Sequence, residues 1–144
     1  MTYQFARINL KETNYTATVE WQYIENPDIV KLNDIYRTYC IYKHFASVMP
    51  IFDSQYTDPD TDVIGYYDAN KLVAFSLIKR YDTKNALCAQ FAWTYHKPTT
   101  RLGIESLKTE CAIYKKRGFD YLYLDQAHLY KQGIDGFEIL GTLQ

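Results

Sequence analysis

Residues 86–125 read ALCAQFAWTYHKPTTRLGIESLKTECAIYKKRGFDYLYLD, and this stretch decides the fold. Ala86 to Tyr95 is apolar or aromatic at most positions, and Phe119 to Asp125 alternates apolar side chains, so both segments read as strands. Between them lies a helix expected from about Thr99 to Arg117. Pro98 keeps Lys97 out of the helical region, Thr99 or Thr100 can cap the first amides, and Ile104, Leu107, Cys111 and Tyr114 recur on one face. Lys115, Lys116 and Arg117 suit the negative end of the helix dipole, and Gly118 supplies the left-handed stop. Strand, helix, strand implies a right-handed crossover if the strands are parallel. The helix N-terminus then opens at the sheet edge with unpaired amides, which attract anions.

Working outward, the clearest hairpin is Val63 to Tyr67 and Leu72 to Arg80, joined by Asp68-Ala69-Asn70-Lys71. The turn Tyr81 to Asn85 leads into the strand at Ala86, giving an antiparallel meander. Tyr3 to Leu10 reads as a first strand, and Tyr15 to Tyr23 as a possible second. Asn26 as cap and Pro27 at the first position open another helix, whose stripe of Leu32, Ile35, Tyr36 and Tyr39 runs toward Phe45. The polar stretch Asp53 to Thr61 reads as a loop, Gln126 to Gly133 is too short for a packed helix, and Ile134 to Leu140 supplies a closing strand. The expected class is α+β: a mixed, mostly antiparallel sheet with a crossover helix and one parallel strand pair, in a single domain spanning 1–144.

Composition narrows the function. A net charge of −1 and a pI near 6.3 lack the basic footprint of a general nucleic-acid binder. No run approaches the roughly 18 apolar residues that a membrane span needs, and MTYQFARINLKET has no apolar signal core, so a cytoplasmic protein without membrane association is expected. Cys40, Cys88 and Cys111 are odd in number and embedded in apolar patterns, which predicts reduced, buried thiols and no zinc. Asp58, Asp60 and Asp62 have the spacing of a calcium loop without its glycine or closing glutamate, so no metal is expected. Fifteen tyrosines fit a β-rich core with hydroxyls at its rim, or a base-stacking surface.

The run PTTRLGIESL at 98–107, followed by Lys116-Arg117-Gly118-Phe119 and the strand YLYLD, resembles the coenzyme-binding core of the GNAT superfamily of N-acyltransferases. In that family a Gln/Arg-x-x-Gly-x-Gly/Ala turn holds the pyrophosphate of an acyl-coenzyme A. Here the turn is Thr100-x-x-Gly103-x-Glu105: the glycine matches, while the first and last positions depart. The resemblance implies acetyl-CoA or another acyl-CoA held by Thr100, Arg101, Leu102 and Gly103, with Gln90 and Trp93 on the central strand. It also implies chemistry by Tyr130 as the acid that protonates the leaving thiol, aided by His128 and Glu105. His96, at the end of the central strand, falls near the same edge. Glu105 has a plainer reading as a first-turn acid facing its own helix dipole.

Residues 61–144 are also similar to the C-terminal half of arginyl-type aminoacyl-tRNA–protein transferases. The likeness rests on Arg101-Leu102-Gly103, Tyr121-Leu122-Tyr123-Leu124, and a tail in which Tyr130, Lys131 and Glu138 match and Gly136 stands for a proline. The cysteine-rich half of those enzymes has no counterpart here. The expected function is transfer of an acyl group, acetyl or aminoacyl, to an amine on a small molecule or protein, with tRNA as a possible donor. The alternative is a degenerate GNAT-fold module that binds a nucleotide, tRNA or protein without turnover. The oligomeric state is left open.

Overall fold

The computed structural model describes residues 3–42, 53–94, 102–124 and 133–143. Seven strands form one sheet: β1 (Tyr3–Asn9), β2 (Glu20–Tyr23), β3 (Thr61–Asp68), β4 (Lys71–Arg80), β5 (Asn85–Trp93), β6 (Tyr121–Leu124) and β7 (Phe137–Leu143). Their order is β2-β3-β4-β5-β6-β1-β7, and every neighbouring pair is antiparallel except β5 with β6. Three helices accompany the sheet: α1 (Ile29–Tyr42), α2 (Asp53–Thr57) and α3 (Leu102–Lys116).

The meander, the crossover helix and the parallel pair stand where the sequence puts them. The β3–β4 turn works because Ala69 and Asn70 both take positive φ, 50° and 66°, the two left-handed residues that a tight hairpin of this hand requires. At the end of α3, Gly118 has φ of 88°, its amide donates to the Lys115 carbonyl, and the Phe119 amide reaches back to Tyr114.

Helices cover both faces. Leu107, Cys111, Ile113 and Tyr114 of α3 pack with Ile64, Tyr66, Ala74 and Ile78 of the sheet, and with Ala6, Ile8, Leu122 and Leu124. On the other face Leu32 and Ile35 of α1 and Tyr56 of α2 pack on Val63, Phe75, Leu77 and Ala92. Neighbouring residues of β3 point to opposite clusters, which is the two-residue strand period at work.

Several expectations need correction. The second strand is confined to Glu20–Tyr23, because the chain after β1 turns through a 3₁₀ segment at Leu10–Glu12. Asp28, not Asn26, caps α1: its carboxylate accepts the Lys31 amide at 3.2 Å and its carbonyl the Leu32 amide at 3.0 Å. Asp53–Thr57 is a short helix rather than loop, anchored by Tyr56, which is 2% exposed. The closing strand is Phe137–Leu143, preceded by Gly136 at φ 77°. A Cβ there would meet the Asn9 carbonyl oxygen at 2.4 Å, so neither a side chain nor the proline of the resembling tail fits. Not every tyrosine hydroxyl reaches the rim: Tyr66 and Tyr114 are fully buried. Cys40 and Cys111 are buried free thiols, whereas Cys88 is half-buried.

Candidate functional site

The parallel pair of β5 and β6 runs from Asn85↔Tyr121 to Cys88↔Leu124, and β5 continues to Trp93 bonded to β4. Pairing of β5 with β4 skips Ala89: Leu77 lies opposite Gln90 and Ile78 opposite Cys88, so Ala89 is a bulge. The bulge lies immediately past the last parallel pair and re-aims the strand there. Beyond it the backbone amides alternate in direction. Thr94 N donates toward β4, to the Val73 carbonyl at 2.8 Å, so the amides of Phe91 and Trp93 face the opposite side, toward the fork. The Phe91 amide is taken by the Gln90 side-chain oxygen at 3.1 Å. This is a strand donor held by its own neighbour.

Beside the fork, α3 begins at Leu102. The Leu102 side chain is buried in the core, so only its backbone faces the turn. Gly103 faces open space, with nothing within 4 Å of where a Cβ would be. Packing among the described residues therefore does not explain a glycine there. Glu105 lies in the first turn, where its carboxylate accepts the Thr18 hydroxyl at 2.6 Å and lies 4.0 Å from Lys108 Nζ. Thr18 comes from the segment between β1 and β2, and Lys108 lies one turn further along α3, so the carboxylate is held off the opening amides. Gln90 is half-buried on β5; Trp93 is 6% exposed, its ring edge-on to Tyr39 at 5.1 Å and Tyr42 at 4.9 Å. Thr100, Arg101, His96, His128, Tyr130 and Lys131 lie outside the described residues. Glu138 pairs with Arg7 Nε at 3.1 Å across β7 and β1, a role within the sheet.

Two polar centres escaped sequence reasoning. Glu110, 3% exposed in the middle of α3, accepts hydrogen bonds from the Tyr66 hydroxyl, from Ser76 Oγ at 2.8 Å and from Cys88 Sγ at 3.5 Å. Burial pushes the Tyr66 phenol well above its ordinary range, and the Glu110 charge adds to the shift. Glu110 lies three residues after Leu107 and four before Tyr114; a carboxylate on that stripe was the available signal. At the far end of α3, Asp62 accepts from Tyr114 at 2.6 Å and Arg117 at 2.8 Å, and Arg80 Nε lies 3.3 Å from its other oxygen. Among the described residues no group of three or more His, Cys, Asp or Glu is arranged to hold a metal ion. No described helix is long and apolar enough to cross a membrane.

No family model matches the sequence, and no curated protein matches it. Solved structures do. A GCN5-related N-acetyltransferase from Kribbella flavida aligns with a TM-score of 0.58 and 15% identity over 99% of this chain and 56% of its own. L-PGS from Bacillus licheniformis aligns with a TM-score of 0.65 and 12% identity over 90% of this chain and 48% of its own. Saccharomyces cerevisiae N-myristoyltransferase, solved with bound myristoyl-CoA, aligns with a TM-score of 0.58 and 13% identity over 94% of this chain and 46% of its own. The chain spans about half the length of each of these chains. At these identities the likeness concerns architecture alone: the chain has the fold of the GCN5-related N-acetyltransferases.

Proposed function

We propose that the protein is an N-acyltransferase that works at the fork between β5 and β6. The observation that carries this reading is the Phe91 amide, a strand donor aimed at the fork and occupied by the side chain of Gln90. An acyl carbonyl entering the fork can displace Gln90 and take that hydrogen bond. As an amine attacks the carbonyl carbon, negative charge grows on the oxygen, and a fixed backbone donor stabilises it more than water does. The C–N bond forms, the bond to the carrier breaks, the amine loses its proton and the leaving group gains one. Tyr130 as acid, with His128, are the groups the sequence resemblance supplies for those proton transfers. The amides opening α3, with Thr100, Arg101, Leu102 and Gly103, suit the phosphates of the carrier. Acetyl-CoA or another acyl-CoA fits this arrangement, and aminoacyl-tRNA is the alternative donor that the sequence resemblance at Tyr130 and Lys131 implies. The acceptor is an amine on a small molecule or a protein.

A module that binds without turnover is the second reading, favoured by a carboxylate, Glu105, in the turn that holds phosphates. The bonds from Thr18 and Lys108 support the active reading, because they hold that charge away from the amides. Calorimetry with acetyl-CoA and with charged tRNA tests both. Under the active reading one donor binds, Glu105→Gly changes affinity little, and Gly103→Ala weakens binding while stabilising the helix by up to about 1 kcal/mol. Under the second, Glu105→Gly markedly strengthens binding. No binding of either donor by any of the three proteins refutes the transferase reading.

A further inference from the structure

Among the described residues the sheet ends in two free edges, β2 and β7, and they are built differently. An edge strand presents unpaired amides and carbonyls, and proteins that stay monomeric guard such edges with short length, charge or proline. β2 is guarded: it is four residues long, opens on exposed Glu20 and closes on Tyr23, whose hydroxyl accepts from Arg117 at 3.0 Å. β7 runs seven residues, FEILGTL, with no lysine and no proline. Its one charge, Glu138, is neutralised within the sheet by Arg7 Nε at 3.1 Å. The register shift that makes Leu140 a bulge bends this edge but adds no charge to it.

The apolar cover also stops one strand short of β7. Ile139 lies opposite Ala6, on the side of the sheet that α3 packs against, yet Ala6 is 0% exposed and Ile139 is 50% exposed. Leu140 beside it is 47% exposed, and among the described residues no other strand exposes a large aliphatic side chain. We infer that β7 is a self-association edge: two copies of this chain pair β7 with β7, antiparallel about a two-fold axis, and the sheet continues from one subunit into the other. A neutral apolar strand suits another of its own kind, whereas a strongly acidic or basic partner finds no opposite charge there. Antiparallel pairing also keeps the two Glu138 residues apart, while parallel pairing in register sets them side by side. Each copy has one such edge, so the assembly closes at two. One strand pair buries less than the ~1,200 Å² of an ordinary stable interface, so the dimer forms and dissociates with concentration. β6 and β1 separate β7 from the fork, so the pairing stands or falls apart from the transferase reading.

The test is sedimentation velocity of the full chain from about 5 μM to about 1 mM. The weight-average mass climbs from 17.0 kDa toward twice that value. Ile139→Lys and Leu140→Lys, both at exposed positions of the edge, each weaken the dimer by about tenfold or more while circular dichroism stays unchanged. Glu20→Lys on the β2 edge leaves it as it was. Hydrogen exchange of the wild type at the two ends of the range needs no variant: the amides of β7 slow as concentration rises and those of β2 do not. A mass of 17.0 kDa throughout, a dimer indifferent to both lysines, slowing at β2 instead of β7, or growth beyond the dimer overturns the proposal.

Discussion

Truncating Glu110 to alanine should be among the most damaging single changes in this fold. The carboxylate is 3% exposed and joins four elements: α3 carries it, and Tyr66 of β3, Ser76 of β4 and Cys88 of β5 donate to it. Tyr66 and Ser76 are 0% and 1% exposed, so water does not reach the donors that truncation abandons. Each orphaned buried hydroxyl costs about 1–3 kcal/mol, while the thiol, a weak donor, adds little. The lost methylene and carboxylate volume adds about 1 kcal/mol, for a total of about 3–7 kcal/mol. Against a whole-fold stability of about 5–15 kcal/mol that is a severe loss. Glu110→Gln keeps the volume and one acceptor, and both hydroxyls can rotate to accept from the new amide, so its cost is about 1–2 kcal/mol. Urea unfolding followed by the fluorescence of Trp21 and Trp93 reads both values. A double-mutant cycle with Tyr66→Phe adds a sharper test, because the phenylalanine removes a donor that alanine orphans. The pair should then be less damaging than the sum by about 1 kcal/mol or more. Strict additivity, or a Glu110→Ala variant within about 1 kcal/mol of the wild type, refutes the reasoning.

Other expectations follow from the same contacts. Burial pushes the phenols of Tyr66 and Tyr114 up, and that of Tyr36 to about 12. The unfolded chain ionises these groups near pH 10 while the folded chain does not, so stability is intact below that pH and falls as pH rises beyond it. An alkaline titration should show exposed tyrosines ionising first and the buried ones only with loss of circular dichroism; buried tyrosines that titrate without unfolding contradict it. Asp62→Ala strands Arg80 and Arg117 and removes the acceptor of Tyr114; with the arginines about a third exposed, we expect a loss of about 1–3 kcal/mol in urea. In the hairpin turn, the double change Ala69→Asn, Asn70→Gly should raise stability by about 0.5–1 kcal/mol, because Ala69 bears a left-handed φ of 50° that alanine resists. An unchanged or lowered melting temperature counts against that turn geometry.

What was legible in the sequence was local. Gly118 and the lysines before it end α3, and Asp68-Ala69-Asn70-Lys71 makes the hairpin, because a stop or a turn is written in adjacent residues. The place of β1 is not written that way. Ala6 and Ile8 pair with Leu124 and Leu122 on one side and with Ile139 and Phe137 on the other, partners more than a hundred residues away. Asp53–Thr57 was hidden for a related reason: its composition is polar, and only the burial of Tyr56 against Phe75, their ring centroids 6.0 Å apart, fixes it as a helix. The candidate site shows the same division. Gly103 and the opening of α3 could be read from spacing, whereas the bulge at Ala89 arises from the register between β4 and β5, which no adjacent residue announces.

Two carboxylates, buried Glu110 and half-buried Asp62, explain why the fork keeps its shape. The apolar stripe of α3 binds the sheet without specifying position, since a helix whose face is uniformly apolar can slide or turn at small cost. Glu110 removes that freedom: its oxygens match donors on three successive strands, and a shift of one residue along the helix breaks all three bonds at once. Asp62 does the same at the other end, tying the base of β3 to Tyr114 within α3 and Arg117 just beyond it. With both ends registered, the first turn of α3 is held beside the fork, and Gly103 keeps its open approach. Cys88 is the last residue of β5 paired to β6 and also a donor to Glu110, so the group that registers the helix also holds the strand where it parts. Position of the opening amides and shape of the fork are therefore linked through Glu110, with Asp62 fixing the other end of the helix.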